Sequence, residues 1–280
     1  MSFVMSVDEL KDKLAENSND TVIVDVRFEL TNPEAGRKAY EENHIPGAFY
    51  LSLDEDLSGE IQEHGGNHPL PDVEEFAKKL GNIGIDSNTT VVVYDQSNDM
   101  FAARLWWMLH YLGHDHVYVL DGGFEHWLAN GNAATADIPT PTKKAFKPQP
   151  RSNEVIHIQE VKEKLKTKSA VLIDSRARER YLGQVEPLYK KAGHIPGAKN
   201  YFWKNVFDHN GRWKSKETLE KQFSSLSKDD EIIVSCGSGV SATPNIIALK
   251  MAGYQNIKLY PGSFSDWISY EKNDVATEEE

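Results

Sequence analysis

The chain has 280 residues, 39% hydrophobic and 26% charged, and its 31 basic against 43 acidic side chains leave a formal charge of −12. That length exceeds what one average core needs, so two domains are expected, and that charge disfavours nucleic-acid binding through a broad basic face, because phosphate affinity is mainly cationic in origin. The one cysteine, Cys236, forbids an internal disulfide and any multi-cysteine metal cluster.

Taken from the first residue, the chain opens without a basic region followed by an apolar run of about 7–15 residues, so no secretory signal is expected. No stretch approaches the roughly 18 apolar residues of a membrane helix. A cytoplasmic address with no membrane association follows, and a lone free thiol fits a reducing compartment. Continuous apolar runs at 21–26, 90–95 and 116–121, and again at 170–175, 231–236 and 256–261, suit strands buried on both faces. Helical patterns lie between them at 72–80, 100–112 and 124–130, then at 217–225 and 244–252. Gly81 and Gly113 sit where left-handed C-terminal caps belong. Alternating strands and helices predict an α/β fold, a mainly parallel sheet with helices on both faces. In such sheets, functional groups gather beyond the carboxyl ends of the strands.

The pattern occurs twice. TVIVDVR at 21–27 is echoed by AVLIDSR at 170–176, matching Asp25 with Asp174 and Arg27 with Arg176. HIPGA occurs at 44–48 and 194–198, and GGFEHW at 122–127 is echoed by GSFSDW at 262–267. Ordered landmarks with drifting offsets mark duplicated domains carrying loop insertions. The proline-bearing polar stretch within 135–153 reads as an extended linker. The expected division is a first domain at 1–136, a linker at 137–152 and a second domain at 153–280. Trp106, Trp107 and Trp127 follow apolar helical spacing and are expected in the core. Glu278, Glu279 and Glu280 read as a solvated acidic tail.

Chemistry is expected at Cys236, which follows a strand and opens Cys236-Gly237-Ser238-Gly239-Val240-Ser241-Ala242 before a helix. Glycines and small residues let successive backbone N–H groups converge, and the positive end of the following helix favours a thiolate. Such surroundings lower a thiol pKa below about 8.5. A buried core cysteine is the competing reading, but a core does not require Gly-Ser-Gly after it. Three other chemistries fit less well. The run Gly237-x-Gly239-x-x-Ala242 matches a dinucleotide fingerprint formally, but the next strand ends in Leu259, Tyr260 and Pro261 where an acidic residue belongs. A cysteine phosphatase would need arginine at Ala242, and a serine-hydrolase elbow would need glycine at Cys236.

The duplicated domain, the paired HIPGA motifs and CGSGVSA resemble the two-domain rhodanese-type sulfurtransferases over nearly the whole chain. The resemblance implies a tandem pair of rhodanese-like domains. It implies that Cys236 accepts a sulfane sulfur as a persulfide and passes it to a thiol acceptor, such as thioredoxin or a small thiol, or to cyanide. Thiosulfate-type members carry a basic pair after the cysteine; mercaptopyruvate-type members carry Gly-Ser/Thr-Gly. Ser238 stands here in place of the lysine, which favours 3-mercaptopyruvate as the small anionic donor. Thiosulfate as main donor, or a persulfide carrier or sensor without turnover, are the alternatives. No metal or organic cofactor is implied.

The same resemblance implies a donor site of Arg180 with the loop residues Gly237, Gly239, Val240 and Ser241. A guanidinium fork suits a carboxylate. A second arginine usual downstream is replaced at Glu186-Pro187-Leu188, leaving Lys190 or Lys191 as substitutes. Arg176, repeated as Arg27, reads as a structural ion pair. Asp95 aligns with Cys236, so the first copy is expected to be inactive. His194 reads as a structural turn residue, whereas His44 is implied to join Ser238 in a relay whose carboxylate falls near Ala35 or Glu34.

Overall fold

The computed structural model describes residues 2–16 and 20–279; Glu280, the last residue of the acidic tail, lies outside them. The chain divides into two compact units. Unit 1 comprises Met1–Gly59, Pro71–Arg151 and Asp208–Trp213; unit 2 comprises Glu60–Leu70, Ser152–Phe207 and Lys214–Glu280. The sequence division at 137–152 needs two amendments. Each unit takes a short segment from the opposite half of the sequence, and the proline-bearing stretch belongs to unit 1. Prolines donate no N–H, and the amides between them need acceptors. Lys144 N donates to Gly81 O at 2.9 Å, Gln149 N to Leu112 O at 2.8 Å and Arg151 N to Tyr111 O at 2.8 Å. The stretch is thereby fastened to the carbonyl ends of two helices.

In unit 1 the elements run β1 (Val4–Met5), α1 (Val7–Ala15), β2 (Thr21–Asp25), α2 (Glu34–Glu42), β3 (Phe49–Tyr50), α3 (Val73–Asn82), β4 (Thr90–Tyr94), α4 (Met100–Tyr111), β5 (Val117–Leu120) and α5 (Gly123–Ala129). The sheet has the order β1-β5-β4-β2-β3, and every pairing is parallel. Successive strand residues face opposite ways. Ile23, Val92 and Tyr94 pack with Val7 and Leu10 of α1 and with Phe124 and Trp127 of α5. Val22, Val24, Val91 and Val93 alternate with them and are equally buried, on the face where α4 packs against β4 and β5. Burial on both faces is what the unbroken apolar runs require. Trp106, Trp107 and Trp127 are core residues, at 1%, 1% and 4% exposure.

In unit 2 the order is α6 (Ile158–Thr167), β6 (Val171–Asp174), α7 (Arg178–Tyr181), β7 (Lys199–Asn200), α8 (Lys216–Gln222), β8 (Ile232–Ser235), α9 (Thr243–Met251), β9 (Ile257–Leu259) and α10 (Ser263–Trp267). Its parallel sheet has the order β7-β6-β8-β9. Leu172, Ile233 and Tyr260 pack with Ile158, Val161, Phe264 and Trp267 on one face, and α9 covers β8 and β9 on the other. The acidic tail is partly fastened: Arg178 donates to both carboxylate oxygens of Glu279, at 2.8 and 2.5 Å.

The repeated motifs do the same work in both units. Arg27 pairs with Asp25 at 2.8 Å and Arg176 with Asp174 at 2.6 Å, both buried. The guanidinium lies over Phe124 at 4.3 Å in the first case and over Phe264 at 4.0 Å in the second. Trp127 Nε1 donates to Ala133 O and Trp267 Nε1 to Asp274 O, each at 2.7 Å.

Candidate active site

β8 ends at Ser235, and Cys236 is the first residue beyond the sheet. Its side chain is 1% exposed. The amide of Gly239 points back at it, Gly239 N donating to Cys236 Sγ at 3.1 Å. That turn requires Gly239 itself: φ is +79°, and a Cβ would lie 2.3 Å from Pro261 O. An N–H aimed at sulfur stabilises the thiolate over the thiol, since a thiolate accepts a stronger, charge-assisted bond. The loop is held from β9 and α10. Cys236 N donates to Ser263 Oγ at 3.0 Å, and Ser263 Oγ donates to Tyr260 O at 2.8 Å. Ser263 has φ +54°, a left-handed conformation that ordinary side chains avoid. Its hydroxyl explains why a serine tolerates that strain beside the thiol.

Ser238 is 9% exposed, and its Oγ lies 2.7 Å from His68 Nδ1. His68 reaches it because residues 60–70 belong to unit 2. The sequence expectation named His44, and this is corrected. His44 is fully buried in unit 1, stacked on Tyr40 at 4.0 Å, with Nδ1 at 2.7 Å from Tyr40 O and Nε2 at 3.2 Å from Asp137 O. Both ring nitrogens thus serve local backbone. His194 repeats the arrangement, stacked on Tyr181 at 3.7 Å with Nδ1 at 2.7 Å from Tyr181 O. Glu34, offered as a relay carboxylate, is exposed at the start of α2, next to Ala35. His68 lies in Gly65-Gly66-Asn67-His68-Pro69, inside a run at 58–72 without helical or strand periodicity. A structureless loop of that length was itself a functional signal.

Arg180, on α7, is about one-fifth exposed and engages Glu186 through Nη2 at 2.8 Å and Nε at 3.3 Å. Glu186 also binds Arg176 Nη1 at 3.3 Å. The two arginines therefore face two carboxylates, Asp174 and Glu186, and Nη1 is the Arg180 nitrogen not directed at Glu186. Lys191 turns away from any second clamp, its Nζ 3.4 Å from both Glu271 O and Asn273 O. Tyr189, which sequence reasoning passed over, completes the group. Its ring lies under Arg180 at 5.3 Å and edge-on to Phe264 at 5.9 Å. Its hydroxyl fills the space above Gly237, where a Cβ would meet Oη at 2.5 Å. Burial first, then the negative charge of Cys236, raise the Tyr189 pKa, with Arg180 and a hydrogen bond to Ser238 pulling the other way. Tyr189 therefore stays a neutral hydroxyl beside the thiol. Val240 is buried, and its carbonyl accepts Thr243 N at 3.1 Å, closing the loop into α9; Ser241 is half-buried at that entry. Among the described residues, no cluster of three or more His, Cys, Asp or Glu side chains could hold a metal ion. No helix among them is long and apolar enough to cross a membrane.

The corresponding loop of unit 1 carries Asp95, 1% exposed, whose carboxylate accepts Asp99 N and Ala102 N at 2.9 Å each. Burial first, and the neighbouring Asp99 charge second, push its pKa up to about 7 against the pull of those two amides.

The rhodanese-like domain family matches residues 6–130 and 157–270. A probable 3-mercaptopyruvate sulfurtransferase of Pseudomonas aeruginosa is 39% identical over 279 residues, covering 98% of each chain. The thiosulfate sulfurtransferase of Rattus norvegicus is 34% identical over 88% of this chain and 84% of its own. The crystal structure of SseA from Escherichia coli, described under 3-mercaptopyruvate sulfotransferases and the rhodanese fold, superposes with a TM-score of 0.83 at 30% identity, covering 95% of this chain and all of that one. With both halves matched and relatives this similar along nearly its whole length, the chain belongs to the rhodanese family.

Proposed function

We propose that the protein is a sulfurtransferase that moves a sulfane sulfur from 3-mercaptopyruvate through a persulfide on Cys236 to a thiol acceptor. The observation that carries the reading is the amide of Gly239 aimed at a buried Cys236 Sγ, with the Ser238–His68 pair alongside. The Cys236 thiolate attacks the donor sulfur and forms an S–S bond. The carbon–sulfur bond breaks, its electron pair passes to the carbon, and pyruvate enolate leaves. Ser238, backed by His68, donates toward the donor oxygen on which that charge develops. The proton from the donor thiol completes pyruvate, leaving the persulfide anion on Cys236. An acceptor thiolate then attacks the outer sulfur and regenerates the Cys236 thiolate.

The donor site consists of Arg180, the hydroxyl of Tyr189 and the amides of the loop at Gly237, Gly239, Val240 and Ser241. Two features favour a carboxylate donor over the thiosulfate dianion. The loop has Ser238 in place of a lysine, and Glu186 offsets much of the Arg180 charge. The acceptor is a small thiol or a thioredoxin-like dithiol, the working compartment is the reducing cytoplasm, and cyanide serves in assays. Kinetics on 3-mercaptopyruvate and thiosulfate side by side test the reading. The higher kcat/KM belongs to 3-mercaptopyruvate, Ser238→Lys shifts the ratio toward thiosulfate, and Cys236 gains about 32 Da on donor treatment. No mass gain on Cys236 refutes the persulfide; an unchanged ratio refutes the donor assignment.

A further inference from the structure

The proposed chemistry needs His68 held at Ser238, yet His68 lies on a segment with neither helix nor strand to fix it. α10 holds that segment. Gly65 N donates to Asp266 Oδ1 at 2.8 Å, and Asn67 N donates to Ser265 Oγ at 3.1 Å. His64 Nδ1 lies 2.7 Å from Ser269 Oγ, and its ring stacks on Tyr270 at 3.9 Å, 10° from parallel. Gly66 has φ +86°, and a Cβ there would meet Gly262 O at 2.5 Å, so the segment presses directly onto the turn before α10. Asp266 is itself immobilised. It is 4% exposed, and Tyr260 Oη donates to its Oδ2 at 2.6 Å. One buried carboxylate therefore grips the sheet end with one oxygen and the amide three residues before His68 with the other.

We infer that Asp266, assisted by Ser265, is a positioning residue of sulfur transfer: it clasps the 64–68 segment and thereby sets His68 against Ser238. Unit 1 supplies independent support, because its matching turn also grips a borrowed segment. Asp121 accepts Trp213 N at 3.1 Å and pairs with Arg212 at 2.7 Å, while Asn98 Nδ2 donates to Gly211 O at 2.8 Å. At the position of Asp266, unit 1 carries His126, which meets Arg212 of that segment. Both copies dock a borrowed segment on the last helix and the turn before it, and in the copy with the thiol that segment sets His68 against Ser238.

The inference rests on the proposed sulfur transfer, and the test separates the two. Wild type, Asp266→Ala, Asp266→Asn and Ser265→Ala are compared for kcat, KM and the pH profile of kcat/KM on 3-mercaptopyruvate, with Cys236 persulfide measured by mass. Asp266→Ala is expected to lose about 10-fold in kcat with KM within about 2-fold, and to displace the limb of the pH profile that depends on His68. Asn can still accept from Gly65 N, so Asp266→Asn is expected to recover most of that loss. Ser265→Ala, a milder change, should lose about 3-fold in the same direction. In a His68→Ala background, Asp266→Ala should add less than about 2-fold, because residues acting through one group are not additive. An additive loss, or a loss with an unmoved pH limb, overturns the clasp. Should Asp266→Ala fail to fold, Ser265→Ala and its cycle with His68→Ala decide. Absence of persulfide in the wild type overturns the sulfur-transfer reading instead.

Discussion

In the loop after β4, Asp95 O and Gln96 O accept the amides of Phe124 and Glu125, both at 2.9 Å; in the loop after β8, Cys236 O and Gly237 O accept those of Phe264 and Ser265 at 3.1 and 2.8 Å. Asn98 at φ +59° stands where Gly239 stands at +79°. The backbone is the same device twice over, a strand end turned so that amides converge on one side chain. In unit 1 that side chain is a carboxylate, which takes two amides and fills the cradle with its own two oxygens. In unit 2 it is a thiol, one atom shorter, which takes one amide. The comparison teaches that the cradle is a property of the fold and the chemistry a property of its occupant. A thiolate can form an S–S bond and a carboxylate cannot, which is why the proposed persulfide belongs to one copy.

The largest expected effect breaks that comparison at its occupant. Cys236→Ser should lower kcat/KM by more than about 1,000-fold, since a serine hydroxyl cannot form the persulfide. Asp95→Ala should leave kcat/KM within about 3-fold while lowering stability. Steady-state kinetics on both variants check the pair, and equal losses would show that both loops take part in catalysis.

The second comparison concerns the buried arginines. Arg27 answers one carboxylate, whereas Arg176 answers two, Asp174 and Glu186, both almost wholly buried. Removing one partner of a buried pair leaves uncompensated charge and costs about 3–5 kcal/mol. Arg176→Ala should therefore lie at or above the upper end of that range and Arg27→Ala at the lower end, read from urea midpoints. The reverse order would show that Glu186 is compensated by Arg180 alone.

Third come the histidines, where His68 stands beside Ser238 and His44, expected there from sequence, bonds backbone carbonyls instead. His68→Ala should lower kcat/KM by about 100-fold, the usual reach of proton-transfer assistance, with an unfolding midpoint near that of the wild type. His44→Ala should lose about 2 kcal/mol of stability, because Tyr40 O and Asp137 O lose their buried partner, while the folded fraction keeps its turnover. Loss of turnover without loss of stability in His44→Ala would restore the relay that sequence suggested.

That contrast shows where sequence reading reached and where it stopped. The strands were legible because both faces are buried, so Val22–Val24 and Ile232–Val234 carry no polar residue to confuse the pattern. Cys236 and Ser238 were legible as candidates because the loop that presents them is local, a turn a few residues long. Arg176 was legible as structural because the repeat displays the same pair twice. His68 was not, because its place beside Ser238 depends on a contact spanning 170 positions, and nothing in a loop's composition says which helix it will dock on. Nor was Tyr189, since a tyrosine between Leu188 and Lys190 reads as surface until its hydroxyl is seen above Gly237. The proline-bearing stretch was read as an extended linker because proline content reports stiffness, not attachment, and its attachment lies in carbonyls at the ends of α3 and α4.

The last expected effect returns to Asp95 and follows from its pKa of about 7. An unfolded aspartate titrates near 3.9. Between about pH 4 and 7 the folded protein therefore holds a proton on Asp95 that the unfolded chain has released. Binding more protons in the folded state makes stability fall as pH rises, by at most about 1.4 kcal/mol per pH unit from one group. Below that window the contribution is fully present, and above it the contribution is gone. Asp95→Asn cannot titrate, so its stability relative to the wild type should rise with pH across the window and level off beyond it, read as the difference between urea midpoints at matched pH. Cys236→Asp extends the comparison by putting a carboxylate into the second cradle. If the cradle is a property of the fold, that variant should fold and acquire the same downward slope. If it folds with no such slope, the two loops differ in their surroundings as well as in their occupants.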